Sequence, residues 1–210
     1  MTTPDVPDGL PSPADSAAQR TNTRMIMVIR HAEKPLHPAG SPYGVTPHGE
    51  ADPHSLTVTG WTRAGALAQL FAPAHSGPPL GLRRPDSIYA SAHAGGHSKR
   101  SIQTVAPLAD RLGLKIVKRY AAGDEAHLAK EVGTRAGATL IAWHHEAIHS
   151  ICHHLGTVDP PPPDHWPADR FDVVWTFTLD GHRWRFTQVP QLLLPGDLPH
   201  PIAARADPAG

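Results

Sequence analysis

Met25-Ile26-Met27-Val28-Ile29-Arg30-His31-Ala32-Glu33-Lys34-Pro35 is the stretch from which the rest of the chain is read. Its five leading apolar residues form a short unbroken run that ends abruptly at charge. That pattern predicts a strand covered on both faces, as in a parallel sheet. Downstream, Thr59-Gly60 opens a predicted helix in which Trp61, Ala64, Leu67, Ala68 and Phe71 keep helical spacing down to Pro73. Residues 86–90 are the next strand. Ser98 reads as the N-cap of a helix running to Leu112, with Ile102, Val105, Ala109 and Leu112 inward and Gly113 as its stop. Residues 115–120 form another short strand, and Asp124 reads as the cap of a helix to Arg135. The buried strand 139–143 leads into a helix from Glu146 to Leu155, ended by Gly156. Finally, 173–179 and 183–189 alternate in strand fashion around Asp180-Gly181, a hairpin signal. Alternating strands and helices with short links predict one three-layer α/β/α sandwich with a C-terminal β-hairpin.

The bulk properties narrow the function classes. The chain has 210 residues, enough for one domain with a substantial core, and its 19 basic side chains balance its 19 acidic ones. No charge imbalance recruits nucleic acid or an anionic membrane. The single cysteine, Cys152, excludes an internal disulfide framework and a cysteine-based zinc site. No run approaches the ~20 apolar residues of a membrane span. Met1 to Arg20 carries no apolar stretch of signal-peptide type, so a cytoplasmic protein is expected. The 24 prolines cluster in loops and at the ends, so residues 1–23 and 195–210 are expected to be loose tails around a domain at 24–194. The 16 histidines raise the chance that any one histidine motif is accidental.

In open α/β sheets, functional groups gather beyond the C-terminal strand ends. Arg30-His31 ends the first predicted strand, and His144-His145-Glu146 ends the strand at 139–143. Between them, Ser98-Lys99-Arg100 opens a helix, where backbone amides favour an anion and a bare cation is disfavoured by the macrodipole. Two arginines and two or three histidines therefore converge on one place. Arginine offers a planar fork that binds phosphate oxygens bidentately and stays charged. An imidazole, with an ordinary pKa of ~6.5, is a free base at neutral pH and can act as a nucleophile.

These blocks resemble the histidine phosphatase superfamily, the phosphoglycerate mutase-like fold, over about residues 24–190. Arg30-His31-Ala32-Glu33 resembles the family's Arg-His-Gly-Glu signature, with Ala32 in place of the usual glycine. Leu56-Thr57-Val58-Thr59-Gly60 resembles its second block, and Ser98 to Thr104 its arginine block before a Gln-Thr pair. Leu140 to His145 resembles the strand that delivers a second histidine. Four blocks in the correct order make the resemblance specific. It implies a phosphatase that needs no metal or cofactor and acts on a small phosphorylated substrate. His31 would attack phosphorus, Arg30, Arg100 and a second histidine would hold the oxygens, and water would cleave the phosphohistidine.

Two assignments stay open. Either His144 or His145 is the second histidine; the pair His145-Glu146 is similar to the His-Asp pair of the family's acid phosphatase branch, which favours His145 and makes Glu146 the leaving-group acid. Asp124 or Glu125 offers that acid from a loop instead. Glu33 reads equally as an ion-pair partner of an arginine or as a participant. A phosphoglycerate-type mutase needs the same nucleophile, and a phosphate-binding module without turnover needs the same cradle. A rival lies in His145-Glu146-Ala147-Ile148-His149, which fits the His-Glu-x-x-His pattern of zinc peptidases. Against it, no glutamate follows Glu146, and Cys152-His153 stand where the extended motif needs its glycine turn.

Overall fold

The computed structural model describes residues 23–37, 40–92 and 99–204. Seven strands form one mixed sheet: β1 (Met25–Arg30), β2 (Ser87–Ala90), β3 (Ile116–Val117), β4 (Ala138–Trp143), β5 (Val158–Asp159), β6 (Val173–Asp180) and β7 (Arg183–Pro190). Their order is β3-β2-β4-β1-β6-β7-β5. β3, β2, β4 and β1 run parallel, and β6 pairs antiparallel to both β1 and β7. Four helices cover the sheet: α1 (Val58–Phe71), α2 (Arg100–Leu112), α3 (Glu125–Thr134) and α4 (His145–His153).

The unbroken apolar run works as predicted because alternate residues serve different layers. Met25, Met27 and Ile29 pack with Leu67, Phe71, Val105 and Leu108 of α1 and α2. Ile26 and Val28 pack with Leu128, Val132, Ile148 and Ile151 of α3 and α4. This is the three-layer sandwich, and β6–β7 is its hairpin. The hairpin turn falls one residue later than read: Asp180 pairs with Arg183, so Gly181 and His182 make the turn, with Gly181 at φ 60°.

Several local readings are corrected. α2 starts at Arg100, and Lys99 occupies the cap position without a capping side chain; Ser98 lies outside the described residues. Gly113 does end α2, at φ 64°, with its N–H on helix carbonyls. Asp124 stands at the cap of α3, but its Oδ2 accepts from the Ala121 N–H behind it rather than from the helix. The strand read at 115–120 shrinks to β3, at the sheet edge. Residues 195–204 are not a loose tail. Ile202 is buried in the core, and Asp197 is paired with Arg63, so this segment is bound down by specific contacts.

The sequence Thr59-Gly60 has a tertiary reason. Thr57 caps α1 by accepting from the Gly60 N–H, and its own N–H donates to the Glu33 carbonyl. A Cβ on Gly60 would lie 2.5 Å from that same Glu33 oxygen, so α1 can approach the segment after β1 only through a glycine. Ala32, where a glycine is usual in the resembling signature, fills space against Leu56 and Ala64.

Candidate active site

The β1–β4 register pairs Arg30 with Trp143, and the His31 N–H continues the ladder to the Trp143 carbonyl at 3.0 Å. One residue beyond each strand, His31 therefore stands beside His144. Their rings meet edge-on with centroids 6.0 Å apart. His144 Nε2 in turn lies 3.0 Å from Ser91 Oγ, at the end of β2. Three neighbouring parallel strands thus deliver one side chain each to the same point, as the sheet rule requires.

His31 is buried, and its Nδ1 lies 2.8 Å from the Ala32 carbonyl oxygen. A carbonyl only accepts, so in the neutral ring Nδ1 carries the proton and Nε2 keeps its lone pair. Burial holds the His31 pKa well below the ordinary histidine value, and the charges of Arg30, His144 and Arg100 push the same way. Burial also lowers His144 and His145.

The pH consequences have opposite signs for nucleophilicity and stability. Because its pKa is depressed, His31 stays a free base as pH falls through ~6.5, so the acid limb of a His31-dependent rate profile is expected below that pH. Stability moves the other way: below ~6.5 the unfolded chain takes up protons that buried His31 and half-buried His144 and His145 resist. Their contribution is fully present above the unfolded pKa and is lost as pH falls. Thermal melts between pH 7 and 5 are expected to show a falling Tm; a flat or rising one would contradict this account.

Arg30 is 1% exposed, with its guanidinium carbon 3.8 Å over the Phe171 ring. Nη1 donates to the carbonyls of Pro167, Ala168 and Arg170. Nε and Nη2 are buried and meet no acceptor among the described residues. Burial brings its pKa down to about 10, partly offset through space by Glu146, Asp169 and Glu33. Unanswered buried donors on a cation are costly, and an anion bound there would answer them.

Arg100 lies close enough for its charge to act on both His31 and His144. Its Nε and Nη2 donate to the carbonyls of Ser55 and Pro53. α2 is tied to the site by Thr104, which accepts from the Ala32 N–H and donates to the Arg100 carbonyl. Gln103 does the same for the second block, accepting from the Leu56 N–H and donating to Ser55 Oγ.

His145 opens α4, and Glu146 Oε2 lies 2.9 Å from its Nδ1 outside hydrogen-bond geometry. The charges acting on it include Arg30, Glu146 and Lys34. The Glu146 side chain is 68% exposed. Glu125 is buried and accepts from Trp143 Nε1 and the Gly123 N–H. Glu33 serves as an ion-pair partner: its Oε1 accepts from Arg63 Nε at 2.8 Å. His149 Nδ1 lies 3.3 Å from the Pro163 carbonyl oxygen, and among the described residues no three His, Cys, Asp or Glu side chains are grouped to hold a metal ion. No helix among them is long and apolar enough to cross a membrane.

The sequence reading missed Ser91, Phe171 and Arg63. Ser91 directly follows a predicted strand, so the rule that found His31 and His144 also reaches it. Phe171 and the carbonyls at 167–170 have no such signal, because they enter from a loop far along the chain. Arg63 sits on the inward stripe of α1 beside Ala64 and Leu67.

The sequence matches no protein-family model and no curated protein. Among solved structures, the chain is similar to the protein histidine phosphatase SixA complexed with tungstate, with a TM-score of 0.51 and 16% identity over 80% of this chain and 97% of that one. The fold is that of a histidine phosphatase. A phosphoglycerate mutase from Bacillus anthracis str. Sterne also matches, with a TM-score of 0.45 and 13% identity over 80% of this chain and 92% of that one. The first of these similarities spans nearly all of the solved chain and four-fifths of this one.

Proposed function

We propose that the chain is a phosphatase that hydrolyses a phosphomonoester or related phosphoryl substrate through a phosphohistidine on His31. The observation that carries this reading is Arg30: a buried guanidinium with two unanswered donors beside an imidazole whose Nε2 lone pair is free. His31 Nε2 attacks phosphorus, the bond to the leaving oxygen breaks, and an acid protonates that oxygen. Water then attacks phosphorus and gives a proton to the conjugate base of that acid, the N–P bond breaks, and inorganic phosphate leaves. Arg30, Arg100 and His144 neutralise the oxygens as charge redistributes. The tungstate bound by the similar SixA structure, itself a tetrahedral oxyanion, is consistent with an anion in this place.

The second histidine is assigned to His144 rather than His145, because strand register sets it against His31. Glu146 is assigned as the proton donor. Its carboxylate is solvent-open and acts through space on Arg30 and His144, whereas Glu125 and Asp124 are engaged with N–H groups and Glu33 with Arg63.

The decisive experiment is rapid quench with a labelled aryl phosphate, in which acid-labile, base-stable label on His31 is expected. Activity is expected to survive a chelator; chelator-sensitive turnover without label would instead support the zinc reading. A variant panel tests the other roles. His144→Ala is expected to lower kcat by ~10²- to 10³-fold, and His145→Ala by much less. The reverse order would restore His145 to the site. Glu146→Gln should slow alkyl phosphates more than nitrophenyl phosphate, whose leaving group needs no proton; an equal loss on both would remove Glu146 from the role.

A further inference from the structure

Next to the His31–Arg30 pair lies a cavity of about 480 Å³, lined by Leu36, Pro42, Phe171, Ala168, Thr57 and Thr59. It shares a wall with the phosphate-handling groups. The Phe171 ring stacks on Arg30 and its centroid is 6.2 Å from that of His31, so the same ring borders both spaces. Glu33, Lys34 and Asp169 also border it.

Exposed apolar residues stand in and beside this lining along the chain. Leu36 is 78% exposed, Val58 67% and Tyr43 54%. Tyr43 follows the lining residue Pro42, Val58 lies between the lining residues Thr57 and Thr59, and the Gly44–Thr57 bridge sets Tyr43 opposite Val58. Single exposed apolar residues need no explanation, but Leu36 in the lining and the facing pair Tyr43 and Val58 next to lining residues add exposed carbon surface beside the cavity. The volume lies within the range of small-molecule sites, which combine apolar walls with a few polar groups that fix orientation.

We propose that this cavity receives the organic part of the substrate, and that this part is apolar and ring-sized: the substrate is the phosphomonoester of an apolar alcohol or phenol. The proposal rests on the phosphatase reading above. With the phosphoryl group against His31 and Arg30, the ester oxygen connects to a group that displaces water from Phe171, Leu36 and Pro42. Such binding is made in both ground and transition states, so it acts mainly on KM. A small polar ester covers none of that carbon surface.

The test compares 3-phenylpropyl phosphate with ethyl phosphate, both esters of primary alcohols, so that leaving-group basicity is matched. The phenylpropyl ester is expected to have a kcat/KM about tenfold higher or more, carried by KM. Leu36→Asp, at a position too exposed to matter for folding, is expected to reduce that ratio about threefold or more by placing a carboxylate in the wall. Calorimetry with 3-phenylpropylphosphonate and ethylphosphonate repeats the comparison without turnover.

Hydrolysis of both esters with a ratio near one, or a ratio indifferent to Leu36→Asp, overturns the cavity assignment and leaves the phosphatase reading standing. No hydrolysis, with preferential and Leu36-sensitive binding of the phenylpropylphosphonate, supports the cavity and overturns catalysis. No hydrolysis and no discrimination in binding overturns both. Faster turnover of a phosphorylated protein than of 3-phenylpropyl phosphate overturns the small-molecule assignment.

Discussion

In a His31→Ala protein, turnover of an aryl phosphate is expected to fall by ~10⁴-fold or more, with loss of the covalent label at the same time. The size follows from the role. Removing a nucleophile eliminates the two-step path itself, whereas removing an oxyanion donor only weakens one contribution to it. His31 is well suited to a clean test because the fold depends on it little. Its ring bond to the adjacent Ala32 carbonyl is local, and its backbone N–H, which completes the β1–β4 ladder, is kept in alanine. Circular dichroism should therefore remain native. Binding of inorganic phosphate should persist, because Arg30, Arg100 and His144 are untouched. A His31→Ala protein that retains more than about a hundredth of the activity, or that still takes up label, would remove His31 from the nucleophile role. A protein that loses phosphate binding as strongly as turnover would place His31 in the cradle instead.

The largest stability effect is expected away from the chemistry, in Arg63→Ala, at ~3–5 kcal/mol. Arg63 is 4% exposed on the inward face of α1, and its guanidinium joins three distant segments. It donates to Glu33 after β1, to Gln191 after β7, and to both oxygens of Asp197 in the last described segment, at 2.7 and 3.0 Å. Removing the cation strands two carboxylates, one of which has an oxygen, Glu33 Oε2, already without a hydrogen-bond partner among the described residues. Arg63 keeps Asp197 below the usual carboxylate range, helped by the N–H groups of Leu193 and Leu194. The sign follows from that depression. The Asp197 contribution is present above the unfolded carboxylate pKa and fades as pH falls through the folded value. Urea unfolding at pH 7 is the measurement, read as a shift in midpoint at constant m. A loss below about 1 kcal/mol would show that the network is replaceable by water. Arg63→Met, which keeps the stem without the charge, should be nearly as damaging, since the stranded carboxylates dominate the cost.

The contrast between these two positions marks how far the sequence can be read. His31 was legible because its strand is short, wholly apolar and sharply ended, and because sheets concentrate function where strands end. Arg100 was legible as a cation at a place where a helix disfavours one. Arg63 was not. A lone arginine on an apolar stripe has no local explanation, because its partners lie 30 positions upstream and more than 120 downstream along the chain. The same distance hid Phe171 and the three carbonyls that hold Arg30. The tail beyond residue 195 misled for a related reason: proline content reports the absence of regular structure, not the absence of contacts such as Asp197 with Arg63.

The pair His144-His145 shows the division most directly. Sequence resemblance left both open and favoured the one followed by an acid. In a parallel sheet, however, position beyond a strand is set by register with the neighbouring strand, and register is a property of two segments more than a hundred residues apart. Arg30 opposite Trp143 places His31 beside His144 and sends His145 into the first turn of a helix. The sequence by itself determined the layered sheet, the strand that carries His31 and the cationic character of the strand ends, because these follow from local runs and periodicity. Which histidine faces His31, which donors of Arg30 are left unanswered, and which apolar side chains wall the adjoining cavity were decided only by tertiary structure, because each depends on segments that meet in space and not along the chain.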